Sequence, residues 1–272
     1  MFYLFSTNTD REIFRFGREG RGVCEFYYPF FLVNSFAYDS LIIYDSPAAT
    51  LTKIDLAALV ESRDIAKCAN SEHLYRNLNF MYNFNKVDSA FIGTFIEKDE
   101  GLFSFCNRNN GEIKNTDYVP YYFYEKGRKD AYCHHVLVSE KDNSIIVPFK
   151  YMNLINCYDL DGNLKVTYAL DWIKEEINTQ IRVDEHTTVT FYRTYATRNR
   201  CYLVWDGHKI EEELRKYPAK IVVMNWQGEL EKVYQLDNFA DFIIPDEKQR
   251  MIYVGVYNAG LEFVEIYKYP ML

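Results

Sequence analysis

The sequence predicts an all-β fold built from repeated small sheets, and three observations indicate it. Aromatic residues make up 17% of the chain, with 24 Tyr and 20 Phe against 12 Gly and 7 Pro, a bias toward side chains that fit a pleated, half-buried surface. Short β-branched or aromatic runs bounded by Asp, Asn, Gly or Pro recur along the chain, whereas helical spacing is rare. One turn sequence also recurs at long intervals. A chain of 272 residues with 48% hydrophobic content can bury a substantial core and is compatible with one large all-β domain or with two smaller domains; from the repeat we predict one domain over residues 1–272.

The recurring turn passes through Asn or Asp into Gly and returns to an extended segment. It is written three times, as FCNRNNGEI, CYDLDGNL and MNWQGEL, with glycines at Gly111, Gly162 and Gly228. Turns that require a positive φ select these residue types. Weaker versions occur at residues 6–13 and around Asp55. A unit of short strands that recurs about every 40 to 60 residues is the signature of a β-propeller, whose blades are small antiparallel sheets.

The number of blades follows from the strand that precedes each turn. These third-strand candidates predict six blades, and they lie at residues 2–6, 50–55, 102–106, 154–159, 220–225 and 262–267. The first candidate has nothing before it, and an incomplete blade would expose sheet edges. Either the natural chain starts upstream, or N- and C-terminal strands share one blade and the count is five. In both cases we expect residues 2–16 to lie beside residues 240–268.

The segment RFGREGRGVCEF, residues 15–26, has an unusual density of glycine and arginine. It fits neither the phosphate-binding G-x-x-x-x-G-K-[ST] pattern nor the dinucleotide G-x-G-x-x-G pattern, each of which must precede a helix. A corner that connects two blades is therefore the prediction. The guanidinium groups of Arg18 and Arg21 can bind a carboxylate or phosphate bidentately. With Glu25, these arginines are the predicted ligand-binding residues. The competing interpretation is that the arginines are solvated or pair with Glu19 or Glu25.

The same segment resembles the glycine-rich inter-blade segment of six-bladed TolB-like and NHL-type propellers, which are abundant in Bacteroidetes. The matching positions of the pattern G-x-x-G-x-G-x-x-E-F-x-x-P are Gly17, Gly20, Gly22, Glu25, Phe26 and Pro29. Val23 and Cys24 stand where the family usually has Pro-Gly. The resemblance implies a protein of the periplasm or cell envelope, commonly a lipoprotein; the cytoplasm is the alternative.

Two segments depart from the strand rhythm. Residues 54–76 contain Leu56, Leu59 and Val60 at i, i+3, i+4 spacing, which predicts a short helix and a loop. Residues 207–218 place three glutamates before Arg215 and Lys216, the order that suits a helix dipole, and predict a second short helix that includes His208. Both are expected as insertions that cover a face of the propeller.

Few residues carry recognisable chemistry. The six cysteines form no C-x-x-C pair, and Cys133-His134-His135 is the one Cys/His cluster, whose neighbours would point to opposite faces of a strand. No catalytic elbow or H-E-x-x-H pair is present, so we predict no catalytic residue, metal or cofactor. A net charge of −8 argues against a nucleic-acid partner. No apolar run approaches the roughly 20 residues of a membrane span, and the segment MFYLFSTNTD lacks the basic n-region and the apolar length of a signal peptide.

These observations favour a non-enzymatic protein that binds a protein, peptide or glycan ligand through its loops. The alternative is a propeller enzyme, a lyase or hydrolase that uses a central axial pocket, because propellers carry many chemistries on one scaffold. A cytosolic scaffold protein is a third interpretation. The sequence indicates neither the identity of the ligand nor the oligomeric state.

Overall fold

The computed structural model describes residues 2–6, 8–9, 11–20, 22, 24–32, 39–95, 102–116, 135–170, 183–212, 217–258 and 263–271. The fold is all-β, with few helices, and is a β-propeller of five blades. Contacts divide the chain into two compact units, the first made of residues 1–97 and 104–114 and the second of residues 98–103 and 115–272.

The first unit contains two short sheets and two four-stranded blades. Strands β1 (Phe2–Ser6) and β2 (Arg11–Phe16) form an antiparallel pair, and β3 (Arg18–Glu19) and β4 (Glu25–Phe26) form a short parallel pair. Blade 1 has the strands β5 (Pro29–Phe31), β6 (Ser40–Asp45), β7 (Thr50–Asp55) and β8 (Ala69–His73). Blade 2 has β9 (Met81–Lys86), β10 (Ala90–Phe95), β11 (Ser104–Asn107) and β12 (Ile113–Asn115).

The second unit contains the other three blades. Blade 3 has β13 (Leu137–Ser139), β14 (Ser144–Pro148), β15 (Leu154–Tyr158) and β16 (Leu164–Ala169). Blade 4 has β17 (Thr188–Ala196), β18 (Arg200–Lys209), β19 (Lys220–Asn225) and β20 (Leu230–Gln235). Blade 5 has three strands, β21 (Phe242–Asp246), β22 (Met251–Asn258) and β23 (Phe263–Pro270).

Each unit is held by apolar faces of neighbouring blades. In the first unit, Tyr44 of blade 1 stacks on Phe84 of blade 2, with ring centroids 4.1 Å apart. In the second unit, side chains from β18, β19, β21 and β22 form one buried cluster that includes Ile221 and Ile252, both fully buried. Burying a large apolar side chain contributes about 1.5–3 kcal/mol, so these faces are the main source of stability.

The predicted recurring turns connect the third and fourth strands of blades 2, 3 and 4. Gly111, Gly162 and Gly228 have φ of 72°, 86° and 86°, which confirms the positive φ expected at each. Each turn begins with an Asn or Asp whose Oδ1 accepts backbone N–H groups of the turn: Asn107, Asp159 and Asn225. The recurring sequence is therefore a recurring side-chain-to-backbone turn.

Blade 1 carries helices at this same connection. Helices α1 (Leu56–Ser62) and α2 (Ile65–Cys68) lie between β7 and β8, and Asp55 caps α1 by accepting the Ala58 N–H at 2.9 Å. A 3-10 turn, Arg76–Leu78, follows β8. The predicted helical insertion at 54–76 is thus present. Leu59 is fully buried and Leu56 packs on the same cluster, but Val60 is 43% exposed, so the apolar face of the helix is narrower than the sequence pattern predicts.

The predicted helix at 207–218 is wrong at its start. Gly207, His208 and Lys209 end strand β18, where His208 pairs with Val189 and Lys209 with Thr188. Tertiary pairing overrides the local helical pattern here. Residues 213–216 lie outside the described residues. None of the described helices is long and apolar enough to cross a membrane.

The predicted count of six blades is also wrong; the alternative of five is correct. All six third-strand candidates are strands, but the first, β1, pairs with β2 in a two-stranded sheet and not in a blade. Its Phe2 and Leu4 pack, within the first unit, on a cluster that contains Ile43 and Ile54. Strands β21–β23 form a separate sheet. The five-bladed alternative expected the N- and C-terminal strands to share one blade, but no described β-ladder joins β1 or β2 to β21–β23.

Candidate functional site

The glycine-rich segment encloses one of its own carboxylates. Gly22 N donates to Glu25 Oε2 at 2.8 Å, and a Cβ atom at Gly20 would collide with the Glu25 carboxylate. Gly17, at φ +68°, makes room for the ring of Phe2, which would lie 2.9 Å from a Cβ there. The glycines are therefore required by close packing, and the place of an external phosphate is taken by Glu25.

Arg18 holds the other oxygen of this carboxylate. Its Nε lies 2.6 Å from Glu25 Oε1, with side chains that are 78% and 19% exposed respectively. The ion pair that the sequence offered as the competing interpretation is thus present. Ion pairs with such an exposed partner contribute only about 0–1 kcal/mol, so a ligand that offers its own anion can exchange with Glu25 at little cost. Arg21 lies outside the described residues, and the predicted ligand-binding role of Arg18, Arg21 and Glu25 stays a prediction.

An open depression of about 210 Å³ adjoins Arg18, and we call it the Arg18 pocket. It is lined by Phe2, Arg18, Glu19, Phe26, Tyr27 and Pro29. Phe2 is fixed among aromatic rings, 5.5 Å from Phe26 and 5.1 Å from Phe31 between centroids. The depression thus combines an apolar floor with one cationic and one anionic side chain at its rim.

The tyrosines beside the Arg18 pocket are exposed but held in place. Asp45, which is buried, accepts the backbone N–H groups of Tyr27 and Tyr28, both at 2.8 Å. The side chains of Tyr27 and Tyr28 are 50% and 55% exposed, and Phe31 is 49% exposed. A fixed backbone that presents aromatic side chains to solvent lowers the conformational entropy lost on binding.

A second group of polar residues lies in the second unit, at an irregularity of the β17–β18 pair. Phe191 pairs with Trp205 and Val189 with His208, so the single residue Thr190 lies opposite both Asp206 and Gly207. Gly207 has φ +69°, the left-handed conformation that such a β-bulge requires. Bulges redirect side chains, and this one sets the positions of Asp206 and His208.

Buried polar atoms without hydrogen-bond partners concentrate at this bulge. Within the described part of the chain eight side-chain atoms are of this kind, and four belong to Trp205, Asp206 and His208: Nε1 of Trp205, both carboxyl oxygens of Asp206 and Nε2 of His208. Asp206 is 4% exposed and His208 is 2% exposed. Each buried unsatisfied group destabilises the folded state by about 1–3 kcal/mol, so four such atoms together make the bulge a destabilising position in the fold.

Burial shifts the titration of both acid and base at the bulge. Burial, reinforced slightly by Asp241, raises the pKa of Asp206 to about 7, while Arg193 and Lys150 act in the opposite direction. Burial also lowers the pKa of His208; Lys150 adds to this, and Glu212 opposes it. Near neutral pH Asp206 therefore exchanges a proton while His208 is uncharged.

The two cations near Asp206 contact aromatic rings. Lys150 Nζ lies 4.7 Å from the ring centroid of Tyr192 and 4.8 Å from that of Tyr151, and Arg193 Cζ lies 3.6 Å from the Tyr192 centroid. Arg193 Nε also donates to the backbone carbonyl of Asp241 at 2.7 Å. We call Lys150, Tyr192, Arg193, Asp206 and His208 the bulge cluster.

The Cys/His cluster of the sequence lies partly beside these residues. His135 Nε2 is 2.9 Å from the Tyr192 carbonyl oxygen, whereas Cys133 and His134 lie outside the described residues. Across the residues that are described, no three His, Cys, Asp or Glu side chains are grouped to hold a metal ion.

Sequence reasoning missed Asp206 and misplaced His208. His208 was assigned to a helix but lies in β18. The available signal was the Asp-Gly pair inside the strand-like run LVWDGHK, because an isolated Gly in a strand indicates a bulge.

Comparisons with known proteins support the fold. Neither a protein-family model nor a curated protein matches this sequence. A solved member of the DUF4221 family from Bacteroides vulgatus superposes with a TM-score of 0.60 at 13% identity, over 98% of this chain and 86% of that chain. A candidate exported protein from Bacteroides fragilis gives a TM-score of 0.50 at 10% identity, over 94% and 73%. A streptogramin B lyase gives 0.44 at 14% identity, over 87% and 67%, too low for any argument about activity. Identities this low establish similarity of fold alone.

Proposed function

We propose that this propeller is a non-enzymatic binding protein that recognises a peptide segment of a partner protein at the Arg18 pocket. The observation that supports this most directly is a depression beside the exposed aromatic side chains of Tyr27 and Tyr28, whose backbone is held by Asp45. Exposed apolar side chains grouped around a concave site mark interaction surfaces, and Tyr is enriched among the residues that dominate binding energy.

The size and charge of the Arg18 pocket define the kind of peptide. A depression of about 210 Å³ accommodates one large apolar side chain, and the rings of Phe2 and Phe26 give it an apolar floor. The guanidinium of Arg18 is available to an acidic residue next to that side chain, because the Arg18 side chain is 78% exposed despite its contact with Glu25. The expected motif is therefore an aromatic or large aliphatic residue flanked by Asp or Glu.

The cell envelope is the proposed location. The resemblance of the glycine-rich segment to envelope propellers supports it, and so does the exported character in the name of the Bacteroides fragilis neighbour. Fractionation of the source bacterium, with the chain detected by an antibody, tests this proposal; recovery in the cytoplasmic fraction would contradict it.

An enzyme, a lyase or hydrolase, is the second candidate function. Asp206 favours it, because a buried carboxyl with a pKa of about 7 has the proton affinity of a general acid or base. The Arg18 pocket offers no comparable group, because Glu19 at its rim is exposed and Glu25 beside it is already paired with Arg18 and the Gly22 N–H.

Selection of random peptides displayed on phage, followed by titration calorimetry of the enriched peptides, tests the binding function. We expect enrichment of the motif above, and we expect Arg18→Ala with Arg21→Ala to weaken binding about tenfold or more while the melting temperature changes little. Tyr27→Ser should weaken binding as well.

Matched variants make this test specific. Arg76→Ala removes an exposed arginine elsewhere in the first unit, and Tyr217→Ser removes a tyrosine that is 44% exposed in the second unit. Both should bind as the native protein does. Equal binding by the Arg18 and Arg21 double variant would show that these residues are not part of the site. If no peptide is enriched and the protein binds glycans, its ligand is a glycan and not a peptide.

A further inference from the structure

The bulge cluster of the second unit contains two cations that form no ion pair with a described carboxylate. Lys150 contacts the rings of Tyr151 and Tyr192, and Arg193 donates to the backbone carbonyls of Asp241 and Tyr192. Neither cation forms an ion pair with any residue that the structure describes, although both are partly buried. In a protein of net charge −8, two adjacent partly buried cations without carboxylate partners are unusual.

Asp206 is the acidic member of the same cluster. Its two oxygens are buried, accept no hydrogen bond from the described residues, and interact electrostatically with Lys150 and Arg193. A buried polar group of this kind is explained by a bound molecule, by water or by a proton-transfer role. The cluster therefore has unused donors on its cations and a buried carboxyl group near them that accepts no hydrogen bond from the described residues.

We propose that the bulge cluster binds a small oxyanion, a carboxylate or a tetrahedral phosphate-like group, together with one proton on Asp206. Lys150 Nζ and the free N–H groups of Arg193 would contact the anion, since Arg binds such groups through its planar donors. Asp206 in its acid form would donate its O–H to an anion oxygen. This site lies within the second unit and is independent of the proposed function at the Arg18 pocket.

Protonation of Asp206 changes the net charge of the cluster. Facing it are Arg193 of β17, Lys150 from the segment before β15 and Asp241 from the segment before β21, with neutral His208 on β18 and Glu212 beyond it. With Asp206 ionised, the positive charge of Lys150 and Arg193 is cancelled by Asp206 and Asp241. With Asp206 protonated, one positive charge is left for an anion. Proton and anion should therefore bind cooperatively.

Other ligand classes fit these observations less well. A cationic ligand would be repelled by Lys150 and Arg193 at close range. A metal ion lacks a group of three ligands in the part of the chain described. A neutral ligand would leave one positive charge of Lys150 and Arg193 uncompensated whenever Asp206 is protonated.

The test is titration calorimetry of the full chain with sulfate and with acetate, each at pH 6.5 and pH 8.5 and constant ionic strength. Sulfate represents the tetrahedral group and acetate the carboxylate, so the two arms distinguish the sources. We expect binding of at least one anion, about tenfold tighter at pH 6.5 than at pH 8.5. Repeating the pH 8.5 titration in two buffers of different ionisation enthalpy should show uptake of about one proton for each anion bound.

Variants locate the site. Lys150→Gln and Arg193→Gln should each weaken binding about tenfold, whereas Lys141→Gln, at an exposed turn between β13 and β14, should not change it. Asp206→Asn should retain binding and remove its pH dependence. Absence of binding by either anion at pH 6.5, binding unchanged by both cation variants, or wild-type binding without proton uptake would each overturn the proposal. Proton uptake is measured on the native protein, so this part of the test does not depend on whether the variants fold.

Discussion

At the scale of single residues, two carboxylates show how much of a site the sequence can predict. Glu25 lies three residues from Gly22 and seven from Arg18, so local chemistry already places its partners near it, and both partners are found on its oxygens. Asp206 has no such local signal. Its burial depends on the register of β17 against β18 and on the bulge at Gly207, which lies between the pairs Phe191–Trp205 and Val189–His208, 14 and 19 positions apart in the chain.

Burial of Asp206 predicts a specific pH dependence of stability. Its pKa is about 7 in the folded chain and about 3.9 in an unfolded chain, so the folded state binds the proton more tightly. The unfolding free energy should therefore fall as pH rises from about 4 to about 7, by about 1.4 kcal/mol for each unit of pKa difference, and then level off. Urea unfolding at pH 5 and pH 8 measures this.

The variant Asp206→Asn isolates the effect of this one residue. Asn carries no charge, so the difference in stability between variant and native protein should move in favour of the variant as pH rises from 5 to 8. Asp161→Asn, at an exposed turn, is the matched control and should leave the pH dependence unchanged. If the native protein and Asp206→Asn show the same pH dependence, Asp206 does not titrate in this range.

At the scale of elements, the recurring turns were predictable because their chemistry is local. Asn225 accepts the N–H groups of Gln227 and Glu229 at 3.1 and 2.9 Å, and Gly228 supplies the positive φ three residues on. All the residues that decide the turn lie within five positions. By contrast, the segment at 207–209 has a helical pattern but is a strand, because its partner Thr188–Val189 lies about twenty residues away.

Removing the acceptor of one turn should cost a measurable amount of stability. Asn225→Ala leaves two turn N–H groups without their acceptor, and we expect an unfolding free energy lower by about 1 kcal/mol in urea titrations followed by circular dichroism. Asn225→Asp keeps the acceptor but loses the donation from Asn225 Nδ2 to Glu229 Oε2 at 2.8 Å, so it should restore only part of it. Gln227→Ala changes an exposed residue of the same turn and should have little effect; a loss as large as that of Asn225→Ala would contradict the assigned role of Asn225.

The glycine of this turn should be still less tolerant. Gly228 has φ +86°, and a Cβ atom there would lie 2.8 Å from the ring of Tyr168 and 3.0 Å from Cys157 Sγ. Gly228→Ala combines backbone strain of about 1 kcal/mol or more with this collision, so it should destabilise the chain more than Asn225→Ala does. The same urea titrations rank the two variants, and equal stability of Gly228→Ala and the native protein would contradict the conformation of the turn.

At the scale of the whole molecule, the sequence repeat predicts the positions of strands correctly but not the number of blades. Each of the six third-strand candidates is a strand, yet one of them belongs to the β1–β2 hairpin. A hairpin and the outer half of a blade share the same turn chemistry, so the turn alone does not reveal whether two inner strands accompany it. The count depends on long-range pairing, which the sequence pattern does not contain.

The β1–β2 hairpin also gives a test of whether the chain unfolds as one domain. Phe2, Leu4, Phe14 and Phe16 pack on blade 1 within the first unit, so deletion of residues 1–16 removes part of that unit's core and should lower its stability by a few kcal/mol. The variant pair Tyr3→Ser and Phe5→Ser changes side chains that are 50% and 48% exposed on the outer face of β1, and it should leave stability nearly unchanged.

The tryptophans report on the consequence for the other unit. Trp172, Trp205 and Trp226 all belong to the second unit, so their fluorescence follows that unit, whereas far-ultraviolet circular dichroism follows both. If residues 1–272 form the single cooperative domain that we predict, the deletion should lower the urea midpoint of tryptophan fluorescence as much as that of circular dichroism, because coincident probes are the mark of two-state unfolding. A fluorescence midpoint that stays at the native value while circular dichroism develops an earlier transition would show that the two units unfold separately and that the hairpin stabilises only the first.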